Sequence, residues 1–146
     1  MISARTIAHA LAAIAIGATG ALVVTTPASA AFPLCADYQR PTATDGSGLS
    51  VDVPSTYAGD TSCNLRYGDY NNYAVEVLQK TLIHCYGKSL VVDQDFGTAT
   101  QNALKSVQSS RGITADGIYG PYTRDKIKHW SGYMNECGYF NGPGGY

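Results

Sequence analysis

The sequence is short of charge. Only 14% of its 146 residues are Asp, Glu, Lys or Arg, and ten basic residues nearly balance eleven acidic ones, for a formal net charge of −1. That balance argues against a nucleic-acid partner and against a polybasic membrane anchor. Glutamate occurs only as Glu76 and Glu136. Neither His-Glu-x-x-His nor Gly-x-Ser-x-Gly occurs, so two common hydrolytic centres have no sequence basis. Four cysteines are present without a Cys-x-x-Cys spacing, which argues against zinc. No metal and no cofactor are expected. Beyond residue 30 there is no long apolar run, so the mature form is expected to have no membrane segment.

What is present begins with an address. Residues 1–30 read as a signal peptide: Arg5 supplies the positive start, an Ala/Ile/Leu/Val-rich run follows, and Ala28-Ser29-Ala30 offers the small-residue cleavage pattern. Leu34 before Cys35 argues against lipid attachment. The expected product is secreted, extracellular or associated with the cell wall. Cys35, Cys63, Cys85 and Cys137 all survive cleavage, an even count that suits two disulfides in a small secreted domain. Three pairings are open and the sequence alone does not choose. Because Cys63 and Cys85 bracket the first helical pattern, the expectation taken is Cys63–Cys85 with Cys35–Cys137.

Residues 31–66 read as an irregular polar segment tied by the disulfides, with short extended pieces such as Leu49–Val53. Residues 67–132 carry three helical patterns, and residues 133–146 read as a Gly-rich tail. Asn72–Tyr86 places Ala74, Leu78, Leu82 and Cys85 on one face, with Asn71 or Asn72 to cap it and Gly87 to stop it. Thr98–Arg111 aligns Thr100, Ala103, Leu104 and Val107. Pro121–Trp130 aligns Thr123, Ile127 and Trp130, with Pro121 suited to the first helical position. His84 and His129 are expected near helix ends.

Two stretches repeat. Asp93–Thr100 aligns with Asp116–Thr123 at an offset of 23, each reading acid, turn, aromatic, Gly, x, x, Thr, then helix. Phe96 and Tyr119 are expected to dock into the core. Gly97 and Gly120 allow the entry into the helix, and Thr100 and Thr123 can bond back to the loop. Asp93 and Asp116 can accept loop N–H groups.

These residues carry a resemblance. The pieces Val75-x-x-Leu78-Gln79-x-x-Leu82, Val92-Asp93-x-Asp95-Phe96-Gly97-x-x-Thr100-x-x-Ala103-Leu104-x-x-Val107-Gln108 and Gly112-Ile113-x-x-Asp116-Gly117-Ile118-Tyr119-Gly120-Pro121-x-Thr123 are similar to the type-1 peptidoglycan-binding domain family. The resemblance spans Tyr67–Trp130. It implies a mostly α, compact three-helix bundle with an internal loop-helix repeat. Three departures stand out. Gln94 replaces a customary Gly, Val107 stands where Phe is common, leaving Trp130 or a tyrosine to fill the core, and Cys85 falls in the turn after the first helix.

The resemblance also implies binding without catalysis. Eleven tyrosines, against three phenylalanines and one tryptophan, suit a sugar-peptide ligand, since Tyr pairs a flat apolar face with a polar tip. Tyr122 is the leading ligand residue, because its repeat partner is Ala99 and the fold does not demand an aromatic there. Tyr73, Tyr86, Asp116, Gly117 and Arg124 complete the candidate set; Arg124, like Lys126, is read first as a solvated surface charge and otherwise as a partner for a stem-peptide carboxylate. Glu76 is read as a solvated partner of Lys80 rather than a catalytic acid. The expected function is non-catalytic binding of bacterial peptidoglycan, through its glycan or its stem peptide. The alternative is a protein-interaction module docking on a secreted or envelope protein. A cell-wall hydrolase is a distant third.

Overall fold

The computed structural model describes residues 31–142, so the signal-peptide segment lies outside the described residues. Strands β1 (Asp37–Gln39) and β2 (Val53–Ser55) pair antiparallel, with Tyr38 opposite Pro54. Helices α1 (Tyr73–Tyr86), α2 (Thr98–Ser110) and α3 (Pro121–Lys126) follow. Strands β3 (Lys128–Ser131) and β4 (Glu136–Tyr139) close the chain as a hairpin, with Trp130 opposite Cys137. Among the described residues, three short helices beside two small antiparallel sheets are not the mostly helical three-helix bundle that the resemblance implied.

The largest difference lies in the third helix. Pro121 opens it and Gly120 caps it, but the backbone turns extended at Ile127 (φ −112°, ψ 154°). From there Ile127, His129 and Ser131 are buried while Lys128 and Trp130 are half-buried. That is the period of two of a strand. His129 therefore sits inside a strand rather than at a helix end.

Helix α1 follows its sequence signals closely. The Asn72 side chain accepts from the Ala74 N–H, and Gly87 takes the left-handed conformation (φ 62°) that closes the last turn onto Ile83 and Leu82. Cys85 belongs to that last turn, not to the turn after the helix. The helix packs against β1, β2, β3 and α2. Its apolar face joins Leu65, Phe96, Leu104, Val107, Tyr119 and Ile127 in the main core, against which Tyr86 packs. Trp130 stands outside this cluster, so it is not the substitute for the smaller Val107.

Residues 31–66 hold a good deal of ordered structure. Leu65 and Tyr119 exchange both backbone hydrogen bonds, at 2.8 and 2.9 Å. Ala43, Leu49, Val51 and Val53 form a second apolar cluster against Phe140. Asp52 N–H donates to Trp130 O at 2.9 Å and Thr44 N–H to Tyr139 O at 2.8 Å, which lays this segment along the β3–β4 hairpin.

The disulfides correct the expected pairing. They are Cys35–Cys63 and Cys85–Cys137, so each bridge joins cysteines adjacent in sequence. Cys63–Cys85 does not form because Cys63, ten residues ahead of α1, and Cys85, in its last turn, have different neighbours. Cys63 lies beside the Pro54 carbonyl, whereas Cys85 reaches β4.

Candidate functional site

Each repeat loop is folded by a buried glutamine from the helix before it. Gln79 Nε2 of α1 donates to Asp93 Oδ1 (2.7 Å), Asp95 O (3.1 Å) and Thr100 Oγ1 (3.1 Å). Its Oε1 accepts the N–H groups of Asp93 and Gln94. Gln108 of α2 does the same for the second loop. It donates to Asp116 Oδ1 (2.8 Å), Ile118 O (3.0 Å) and Thr123 Oγ1 (3.0 Å), and accepts from Gly117 N–H (2.8 Å). Amides saturated in this way can be buried without penalty. Asp93 accepts the Asp95 N–H and Asp116 the Ile118 N–H, while Thr100 and Thr123 donate to Asp95 O and Ile118 O. The Gln79 bond, followed by the Asp95 N–H, holds the Asp93 carboxyl below its ordinary pKa. Phe96 and Tyr119 are both fully buried.

Sequence reasoning quoted both glutamines but gave them no role. Their signal was an apolar residue followed by Gln ahead of each loop, Leu78-Gln79 and Val107-Gln108. Gln94 is also explained. It occupies the left-handed region (φ 68°), as Gly117 does at the aligned position (φ 74°). Its side chain donates to Glu76 Oε2 at 2.8 Å. Glu76 also receives Lys80 Nζ at 2.6 Å, and that pair chiefly holds its carboxyl below the ordinary range. Glu76 is thus a half-buried loop anchor as well as the partner of Lys80.

The candidate ligand residues do not converge on one place. Tyr122, 49% exposed, and Asp116 line a cleft of about 170 Å³ with Phe32, Asn64, Thr114, Ile118 and Pro121. Gly117 is buried and does not line it; the Gln101 and Lys105 side chains occupy the space a Cβ there would need. Lys126 Nζ stands 5.8 Å from the Tyr122 ring centroid, close enough for a cation–π contact. Tyr73 belongs to a different cleft. Tyr86 is half-buried, and its hydroxyl accepts the Lys128 N–H at 2.6 Å.

Arg124 is not a surface cation at all. It is 0% exposed, with Nε donating to Asp125 Oδ1 at 2.6 Å and Nη1 to Thr61 O at 2.9 Å. A fully buried, paired guanidinium cannot meet an external carboxylate, so Arg124 leaves the ligand set and becomes a structural residue. His129 lies in the same interior, with Nε2 2.9 Å from the Tyr119 hydroxyl. Burial pushes the Tyr119 phenol up.

Burial, with the Arg124 charge adding to it and Asp125 opposing, pushes His129 down to about 3. The unfolded chain binds a proton on this ring near pH 6.5 and the folded chain does not. Stability is therefore complete above that pH and falls as pH drops toward 3. Between pH 7.5 and 5 the loss should be about 2 kcal/mol. Urea midpoints across this window should fall for the native protein and stay nearly flat for His129→Gln, whatever that variant's starting stability. Parallel slopes would remove His129 as the cause.

Among the described residues, no group of three or more His, Cys, Asp or Glu stands together as a metal site, and no helix is long and apolar enough to cross a membrane. All four cysteines are oxidised.

Over 41 residues the chain is 49% identical to the zinc D-Ala-D-Ala carboxypeptidase of Streptomyces albus G, a match covering 28% of this chain and 16% of that enzyme. A crystal structure of a peptidoglycan-binding protein from Clostridioides difficile, in complex with glutamine hydroxamate, is similar with 32% identity and a TM-score of 0.42. That match covers 53% of this chain and 45% of the other. The chain thus spans less than half the length of either protein. Residues 71–127 match the family described as "Putative peptidoglycan binding domain". The matched stretch runs from the turn before α1 to the residue after α3 and contains both glutamine-held loops. Residues 71–127 are thus the part of this chain that is similar to the peptidoglycan-binding family.

Proposed function

We propose that this is a secreted, non-catalytic protein that binds bacterial cell-wall peptidoglycan through the cleft around Tyr122. The observation that carries the reading is the family match over residues 71–127, which takes in the loop that builds one wall of that cleft. Tyr122 offers an exposed ring beside polar groups from Asn64, Thr114 and Asp116, the mixture a sugar or peptide needs. Two disulfides and the character of residues 1–30 support secretion. The groups that could do chemistry are otherwise engaged: Glu76 with Lys80 and Gln94, His129 with Tyr119, His84 stacked on Trp130.

Purified sacculi stripped of protein and teichoic acid should retain the oxidised protein saturably, and retention should survive moderate salt. Tyr122→Ala should weaken retention about tenfold, equivalent to about 1.4 kcal/mol, with the circular dichroism spectrum unchanged. Retention unaffected by Tyr122→Ala would remove the cleft from the reading. No retention of a folded protein would favour a protein partner instead, and release of muropeptides would overturn the absence of catalysis.

A further inference from the structure

A second cleft, of about 190 Å³, is built largely by residues outside 71–127. Its aromatic walls come from three separate elements: Tyr38 of β1, Tyr73 at the start of α1 and Trp130 of β3. Tyr38 and Tyr73 meet edge to face with centroids 5.6 Å apart. His84 stacks on Trp130 at 4.2 Å with 15° between the planes, and the indole Nε1 donates to Asn135 Oδ1 at 3.4 Å. The rings are thus fixed before any ligand arrives, which lowers the entropy cost of binding.

Two cations complete the cleft. Lys80 holds Glu76, and Arg40 donates through Nε to Asp52 Oδ1 at 2.8 Å while lying 5.0 Å from the Tyr38 ring centroid. The second Asp52 oxygen accepts the Gly132 N–H at 3.2 Å. The Arg40 and Lys80 side chains are 57% and 34% exposed, their acidic partners only 12% and 17%. Each pair is formally neutral, but its cation is the more exposed member and the one an incoming anion meets first.

We propose that this cleft is a second binding site that takes a pyranose ring bearing a carboxylate. The flat rings of Tyr73 and Trp130 suit the C–H face of a sugar, and Arg40 and Lys80 suit the acid. Its volume suits one ring rather than a length of polymer. It is separate from the Tyr122 cleft and stands without it. Two sources supply this chemistry: muramic residues whose stem peptide has been removed, and uronic acid residues.

Trp130 is the single tryptophan of the chain, so its fluorescence reads this cleft directly. The oxidised protein is titrated at constant pH with N-acetylmuramic acid, glucuronic acid and neutral N-acetylglucosamine. At least one acid should shift the emission saturably and bind at least fivefold more tightly than the neutral sugar. Tyr73→Ala should weaken binding at least tenfold, and Lys80→Gln and Arg40→Gln should erase the preference for the acid. Tyr122→Ala should leave the titration unchanged. A response to N-acetylmuramic acid alone supports the site with stripped wall glycan as its source, and a response to glucuronic acid alone supports it with a uronic polymer. Equal response to the neutral sugar overturns the carboxylate. Silence from all three sugars overturns the site, while retention on sacculi tests the Tyr122 cleft independently.

Discussion

Replacing Arg124 by leucine should cost about 3–5 kcal/mol, because it strands the Asp125 carboxylate in the interior. Both side chains of the pair have no exposed surface. The guanidinium also satisfies the Thr61 carbonyl and hydroxyl and lies 5.7 Å from the Phe140 ring centroid. One arm of it and one Asp125 oxygen have no hydrogen-bond partner among the described residues. Arg124→Leu with Asp125→Leu should then recover at least half of the loss, since removing both charges also removes their desolvation penalty. Urea unfolding of the three proteins measures this cycle. A single-variant cost below about 1 kcal/mol would mean that water reaches the pair. Under conditions where the variants stay folded, their retention on sacculi should match the native protein, because Arg124 faces no ligand.

Removing the Cys85–Cys137 bridge should cost more than removing Cys35–Cys63. The bridges close 52 and 28 residues of chain. Loop-closure entropy gives about 4 kcal/mol for the longer and about 3.5 kcal/mol for the shorter. Position widens the gap. Cys85–Cys137 ties the β3–β4 hairpin to the end of α1, whereas Cys35 and Cys63 are already neighbours through the Cys35 N–H bond to Asn64 O at 3.0 Å. The Cys85→Ala/Cys137→Ala double variant should therefore unfold at lower urea than Cys35→Ala/Cys63→Ala. It should also shift Trp130 emission before global unfolding, since Trp130 pairs directly with Cys137. The reverse order of midpoints would overturn this ranking.

The contrast between α1 and α3 explains which features were legible in the sequence. Helix α1 carries its own boundaries, an Asn whose side chain caps the start and a Gly free to turn left-handed at the end, both local chemistry. At α3 the start is local too, fixed by Pro121. Its end is not. Thr123, Ile127 and Trp130 keep a helical spacing, yet the Ile127–Ser131 stretch answers to a partner strand and to a disulfide far away in sequence. Residues 31–66 were read as irregular for the same reason. Their order comes from pairing within the segment and from backbone bonds to Tyr119, Trp130 and Tyr139, which local propensity does not encode. Within the candidate site, the loop chemistry of Asp93, Thr100, Asp116 and Thr123 was readable because it acts over a few residues. The burial of Arg124 was not, since a cation beside Tyr122 and Lys126 in sequence gives no sign that its own side chain turns inward to Thr61 and Asp125.

The two buried glutamines give the repeat a direction. Each loop is completed by an amide that precedes it in the chain, Gln79 for the first and Gln108 for the second, 14 and 8 residues before the aspartates they hold. A chain emerging N-terminus first therefore always has the organiser in place before the loop that needs it, and no loop waits on sequence still to come. The series also has a built-in terminus. Helix α3 ends after six residues and passes straight into β3, so it offers no glutamine to a further loop. The array is finite by construction, and the hairpin that follows it is its end-cap.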